Sequence, residues 1–201
     1  MKVYKIYPKG FASNSYILTA DDKTCVVVDC AQERVLEECR KLNLEPKYVL
    51  LTHGHYDHIG GCGAFYNVGA KIICGEKEDE LIFSDDNRAI FHGITIPEFA
   101  IDRTVKDGEK LQLCGMEFTV IATPGHTAGG VTYVADGNLF TGDTLFCESV
   151  GRCDLPTGNA RQLVESVKKL FSLKGDYKVY CGHEDDTTLQ HERENNPYVR
   201  L

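Results

Sequence analysis

The segment Leu51-Thr52-His53-Gly54-His55-Tyr56-Asp57-His58-Ile59-Gly60-Gly61 sets three histidines and one aspartate within six residues. The chain has only 7 histidines among its 201 residues, so this density sets the segment apart from a polar loop with incidental histidines. Imidazole suits zinc, iron and other transition metals, and a carboxylate can complete or bridge a shell. Histidines at i and i+2, followed by Asp and His at i+4 and i+5, let one loop divide its ligands between two adjacent cations. Three more segments repeat a simpler design. Pro124-Gly125-His126-Thr127-Ala128-Gly129-Gly130 puts a histidine in a glycine-rich turn, and Thr141-Gly142-Asp143-Thr144 puts an aspartate directly after a strand-like run. Tyr180-Cys181-Gly182-His183-Glu184 again follows an apolar run with glycine and one ligand-type side chain. Together they supply His53, His55, Asp57, His58, His126, Asp143 and His183, enough for two metal sites. Two cations roughly 3.5–4 Å apart can share a hydroxide whose parent water is acidified to a pKa of about 7. No serine or cysteine elbow offers a protein nucleophile.

These residues need strands that end at one edge of a sheet, because strand ends feeding loops place reactive groups on a rigid frame. Alternating or short apolar runs predict strands over residues 3–7, 15–18, 24–29, 47–52, 71–74, 111–113, 117–122, 131–135, 139–141 and 178–181. Helical spacing predicts helices over 32–42, with Val35, Leu36, Cys39 and Leu42 on one face, and over 159–173, with Leu163, Val164, Val167, Leu170 and Phe171 on one face. Short helices are expected at 60–66 and 187–194. Residues 76–101 show the weakest pattern and read as an irregular, substrate-side segment. No repeat or linker divides the chain, and one domain over 1–201 is expected.

The composition excludes several classes. Hydrophobic residues at 42% and charged residues at 26% describe a globular chain, neither disordered nor coiled coil. A net charge of −8 without a Lys/Arg cluster argues against nucleic acid as a partner. Apolar runs such as Cys25-Val26-Val27-Val28 fall far short of the roughly 18 residues of a membrane span. The N-terminus reads as a strand rather than a signal peptide. The 9 cysteines are odd in number and include no C-x-x-C pair, which argues against a disulfide framework and for a reduced, cytoplasmic setting. Most read as small buried hydrophobes, with Cys62, Cys147 and Cys153 set apart because they flank the ligand motifs.

The H-x-H-x-D-H motif followed by His126, Asp143 and His183, with TPGHTAG (123–129), TGDTLF (141–146), GRCDLP (151–156) and VYCGHE (179–184), resembles the metallo-β-lactamase fold superfamily. Within it the chain is similar to the glyoxalase II branch, the hydroxyacylglutathione hydrolases and their small single-domain relatives. The resemblance implies an α/β fold, a four-layer αββα sandwich with the metals at one edge between two sheets. It implies that His53, His55 and His126 hold one metal, that Asp57, His58 and His183 hold a second, and that Asp143 bridges them. The cofactors it implies are two divalent ions, Zn2+ first, with iron or manganese as alternatives. Asp57 would also orient the attacking hydroxide as a catalytic residue. Asp29 matches the carboxylate that holds a ligand histidine from behind, a support that Thr52 and Thr144 are also placed to give. Arg152 stands where the pattern has a basic residue on a substrate carboxylate. The activity implied is hydrolysis of a small acyl thioester, S-lactoylglutathione or a related thiol ester. The G-R-x-D form at Gly151–Asp154 is shared with persulfide dioxygenases, so a mononuclear-iron oxidoreductase using His53, His126 and Asp143 stays open, as does a lactonase with the same ligand set. His92 and His191 match no ligand position and read as structural or surface residues.

Overall fold

The computed structural model describes residues 1–199. Strands β1 (Lys2–Ile6), β2 (Ser15–Thr19) and β3 (Thr24–Val28) form an antiparallel meander, and β4 (Glu45–Leu50), β5 (Lys71–Gly75) and β6 (Arg103–Val105) extend it in parallel, giving the order β1-β2-β3-β4-β5-β6. The parallel steps need crossovers, and helices supply them: α1 (Arg34–Lys41) before β4, then α2 (Tyr56–Ile59) and α3 (Cys62–Asn67) before β5, and α4 (Glu78–Ile82) before β6. The second sheet starts with β7 (Lys110–Leu113), β8 (Met116–Ala122), β9 (Val131–Ala135) and β10 (Asn138–Gly142). A small hairpin of β11 (Leu145–Phe146) and β12 (Ser149–Val150) and helix α5 (Ala160–Phe171) follow. The chain then adds β13 (Lys178–Cys181), β14 (Thr187–Thr188) and α6 (Leu189–Asn195), and the sheet order is β14-β13-β10-β9-β8-β7.

The layering follows from strands that are apolar on both faces. Val26 and Val28 of β3 join Leu50, Ile73, Phe118, Val120, Tyr133 and Phe140 in a core between the sheets. Their neighbours Cys25 and Val27 point the other way, packing with Val49 and Ile72 against Val35, Leu36 and Cys39 of α1 and Phe65 of α3. On the far side Ile121, Leu139 and Val179 meet Val167, Leu170 and Phe171 of α5 and Leu189 of α6. Three cores separate four layers, which is the αββα sandwich expected. Asn159 caps α5, its side-chain oxygen accepting from the Gln162 N–H at 3.0 Å.

Two local readings are corrected. Residues 76–101 are not simply irregular: they hold α4 and two single-turn 3-10 segments (Asp85–Asn87 and Ile90–His92). Each is too short to repeat an apolar period, and that is why none shows in the pattern. The H-x-H-x-D-H motif is not wholly a loop either. It passes from an extended His55 into one helical turn, Tyr56–Ile59, that carries Asp57 and His58.

Candidate metal centre

Four strands deliver the cluster from their C-terminal ends. His53 and His55 follow β4, His126 lies in the β8–β9 turn, Asp143 follows β10 and His183 follows β13. The structure brings all seven expected residues together, from both sheets. Their candidate ligand atoms fall into overlapping groups, each within 4.8 Å: His53, His55 and His126; His53, His58 and Asp143; Asp57, His58 and His183. Asp143 lies between the first and last of these. Its Oδ1 is 3.2 Å from His58 Nε2, and its Oδ2 is 3.5 Å from His126 Nε2 and 3.4 Å from His183 Nε2. Asp57 Oδ2 is 3.2 Å from His183 Nε2.

The hydrogen bonds behind these rings fix which nitrogen is bare. His126 Nδ1 lies 2.7 Å from the Arg152 carbonyl, which can only accept, so the proton sits on Nδ1 and Nε2 keeps its lone pair. Nε2 faces His55 Nδ1 at 2.9 Å, a pair that needs either a shared proton or a cation. His58 Nδ1 donates to Asp29 Oδ2 at 2.8 Å. The Thr52 hydroxyl donates to the same oxygen at 2.8 Å, so it accepts from His53 Nδ1 at 3.2 Å. His53 Nε2 and His55 Nε2 are left buried with no hydrogen-bond partner, and His58 Nε2 and Asp143 Oδ1, also buried, have only each other at 3.2 Å. Buried polar atoms are rarely orphaned, and acceptors converging from several rings fit cations. The residues present therefore fit divalent metal ions.

Asp29 is the hub of this arrangement. Beyond the two donors on Oδ2, its Oδ1 accepts from the Thr52 N–H at 2.8 Å, and its backbone takes a φ of 53°, rare for a residue with a Cβ. Gly182 explains the glycine before His183. A Cβ there would lie 2.2 Å from Asp143 Oδ1 and 2.9 Å from His58 Cε1.

One supporting residue escaped the sequence reading. Glu78, at the start of α4, is buried, and its two carboxylate oxygens accept from the N–H groups of Gly54 and Gly129, each at 2.7 Å. It thus buckles the loop of His53 and His55 to the loop that follows His126. Glu78→Ala leaves two buried N–H groups unpaired, at about 1–3 kcal/mol each, and is expected to weaken metal binding by about 10–100-fold. Glu78→Gln is expected to be nearly as damaging, because its amide nitrogen would face one of the two donors. Urea unfolding and metal competition titrations measure both effects.

The charges suit cations as well. Burial pushes His55 down to about 3, with His126 adding to the shift, and holds His53 well below its ordinary 6.5. Burial also opposes charge on Asp143, yet His58, His126 and His183 keep it ionised, well below the usual carboxylate range. His183, despite its burial, is raised to about 9 by Asp143 and Asp57. In chelated protein, His53 and His55 stay neutral in the fold but protonate on unfolding, so the stability they contribute is lost as pH falls below 6.5. His183 is protonated in the fold and neutral in the unfolded chain between 6.5 and about 9, so its contribution is lost as pH rises through that window. His58, although fully buried, is held well above 6.5 by Asp29, Asp143 and Asp57 and adds to the alkaline loss, so metal-free protein is expected to be most stable near pH 6.5. Denaturant unfolding across pH 5–9 checks this, and His55→Gln should flatten the acid limb.

The cluster opens into a cleft of about 520 Å³, walled among others by Tyr56, Arg88, His92, Phe146, Arg152 and Leu155. Arg152 lines the cleft, and one edge of its guanidinium is paired with Asp154, Nε at 2.7 Å and Nη2 at 2.8 Å. His92 is not merely a surface residue: it lines the cleft, stacked on Tyr56 at 4.7 Å. His191 lies apart, hydrogen-bonded to Glu148 at 3.0 Å. Cys62 is buried, Cys147 and Cys153 half-buried, and all nine cysteines are free.

The family model described as the metallo-beta-lactamase superfamily matches residues 8–183. The chain belongs to the metallo-β-lactamase superfamily. A member from Haemophilus influenzae, the hydroxyacylglutathione hydrolase GloC, is 32% identical over 208 residues, covering 99% of this chain and 98% of its own. Among solved structures of the superfamily, the B3 metallo-beta-lactamase BLEG-1 superposes with a TM-score of 0.92 at 29% identity, covering 98% of this chain and 99% of that one. TTHA1623 in a di-iron-bound form gives a TM-score of 0.87 at 29% identity, covering 98% and 100%. The His/Asp cluster of this member is the place for divalent metal ions, and its class is that of a metallohydrolase. No helix among the described residues is long and apolar enough to cross a membrane.

Proposed function

We propose that this metallohydrolase cleaves small acyl thioesters, S-lactoylglutathione or a related thiol ester first, with two metal ions in one domain spanning the chain. The observation that carries the reading is the assembly of all seven His and Asp side chains, with bare nitrogens facing one another, beside a cleft of small-molecule size. The likeness to GloC over nearly the full length of both chains supports the thioester. His53, His55 and His126 would hold one ion and Asp57, His58 and His183 the other, with Asp143 shared between them. When bound, such ions acidify a water and polarise the acyl carbonyl. Zinc is the first candidate, with iron next in view of the di-iron neighbour.

The chain's own groups do the rest. Asp57 stays ionised: burial opposes its charge, but His58 and His183 outweigh that penalty. Its role is to accept a hydrogen bond from the attacking water and aim it at the acyl carbon. Asp29, through Thr52 and His58, keeps two rings in the required tautomer. Water adds to the acyl carbon, the carbon–sulfur bond breaks, and the products are a carboxylate and a thiol. A thiolate leaves near neutral pH, so no general acid is required. Nine free thiols suit a reducing, cytoplasmic setting.

The deciding experiment follows loss of the thioester bond of S-D-lactoylglutathione by purified, metal-analysed protein, with nitrocefin in parallel. Hydrolysis that is lost on chelation and restored by zinc supports the reading. Cleavage of nitrocefin alone, or a single bound iron without thioester hydrolysis, would sink it; the second result points to the dioxygenase chemistry.

A further inference from the structure

The cleft has two guanidinium groups, and they are in different states. Arg152 gives one edge of its guanidinium, Nε and Nη2, to Asp154. Arg88 makes no ion pair among the described residues and lies over the Phe91 ring at 4.0 Å, a cation–π contact that leaves its hydrogen-bond donors unspent. Its backbone is held for this position. Asn87 is buried, donating to the Ile82 carbonyl at 2.8 Å and accepting from the Ala89 N–H at 2.8 Å. Between those anchors Arg88 takes a φ of 75°, a left-handed conformation rare for a long side chain and most often kept where the surroundings enforce it. The segment that reads as featureless in the sequence thus presents one preset cation to the same cleft as Asp57, Asp143 and His183.

An arginine fork matches a carboxylate in two hydrogen bonds, more selectively than a lysine point charge. We propose that Arg88 binds a carboxylate of the substrate, so that the site selects acyl thioesters carrying an anionic group away from the reacting carbonyl. The assignment rests on the thioester reading above and gives Arg88 the anion-recognition role expected of Arg152. Tyr56 and His92, stacked beside it, form a flat wall of the same cleft.

The test compares kcat/KM for two substrates: S-D-lactoylglutathione, which carries carboxylates, and the S-lactoyl thioester of N-acetylcysteamine, which carries none. The variants are Arg88→Ala, Arg88→Lys and Arg88→Gly, the last accommodating the positive φ without strain. The expected result is a 10- to 100-fold fall in the anionic-to-neutral ratio for Arg88→Ala and Arg88→Gly, carried mainly by KM. Arg88→Lys is expected to recover part of it. An unchanged ratio, or equal losses on both substrates, overturns the proposal while leaving the thioester reading standing. Failure of the wild-type protein to hydrolyse either thioester overturns that reading and the assignment with it.

Discussion

Asp143→Ala protein is expected to lose about 10³-fold in thioester hydrolysis, corresponding to about 4 kcal/mol of transition-state stabilisation, and to retain at most one metal per chain. The carboxylate offers one oxygen toward His58 and the other toward His126 and His183, so it faces members of both ligand groups. Alanine removes both oxygens and leaves those rings without the anion that faces them. Asparagine keeps the volume but has a single acceptor oxygen, and its amide N–H would point at a histidine nitrogen; Asp143→Asn is expected to be comparably inactive. Metal analysis by mass spectrometry beside kcat/KM checks both variants. Two tightly held ions and near-normal turnover in Asp143→Ala would remove Asp143 from the centre.

The second large effect is subtler in structure. Asp29→Asn should cost about 100-fold in metal affinity and activity, at the upper end for a group that supports ligands from behind. Every hydrogen bond to the Asp29 carboxylate is one it accepts: from the Thr52 N–H, the Thr52 hydroxyl and His58 Nδ1. An asparagine oxygen can satisfy the Thr52 N–H, but its NH₂ then faces His58 and the threonine hydroxyl. His58 would take its proton on Nε2, the nitrogen that must be bare, and the hydroxyl could no longer fix His53. Asparagine tolerates the left-handed backbone at this position at least as well as aspartate, so a fold defect is not the expected cause. Imidazole proton and nitrogen NMR of the metal-free variant, at a pH high enough to neutralise His58, reads the tautomer directly. An unchanged Nδ1–H state at His58 would refute the account.

Much of this was legible because it is local. A histidine-dense motif after an apolar strand, and single ligands after glycine at three further strand ends, announce themselves by type and spacing. The apolar run at Cys25–Val28 is equally visible as a strand, although which valine faces which core is not. What stayed hidden depends on contacts distant in the chain. Glu78 looks like one acid in an acidic run, and only folding shows it spanning Gly54 and Gly129. His92 has no flanking motif, and its stacking on Tyr56 joins residues 36 positions apart. Arg152 illustrates the converse: its place was legible, while its capture by Asp154, two residues on, is a choice of rotamer that sequence spacing does not decide.

The two sheets are sequential in the chain, one ending at Val105 and the other starting at Lys110, so the polypeptide passes between them once. His53, His55, Asp57 and His58 belong to the first half, and His126, Asp143 and His183 to the second. Ions held by both sets would tie the two halves together, closing loops of roughly 70 to 130 residues whose closure entropy grows only logarithmically with length. Loading metal therefore does more than arm a reaction centre. It would add to the core the two sheets already share, and make the stability of the sandwich a function of free metal concentration.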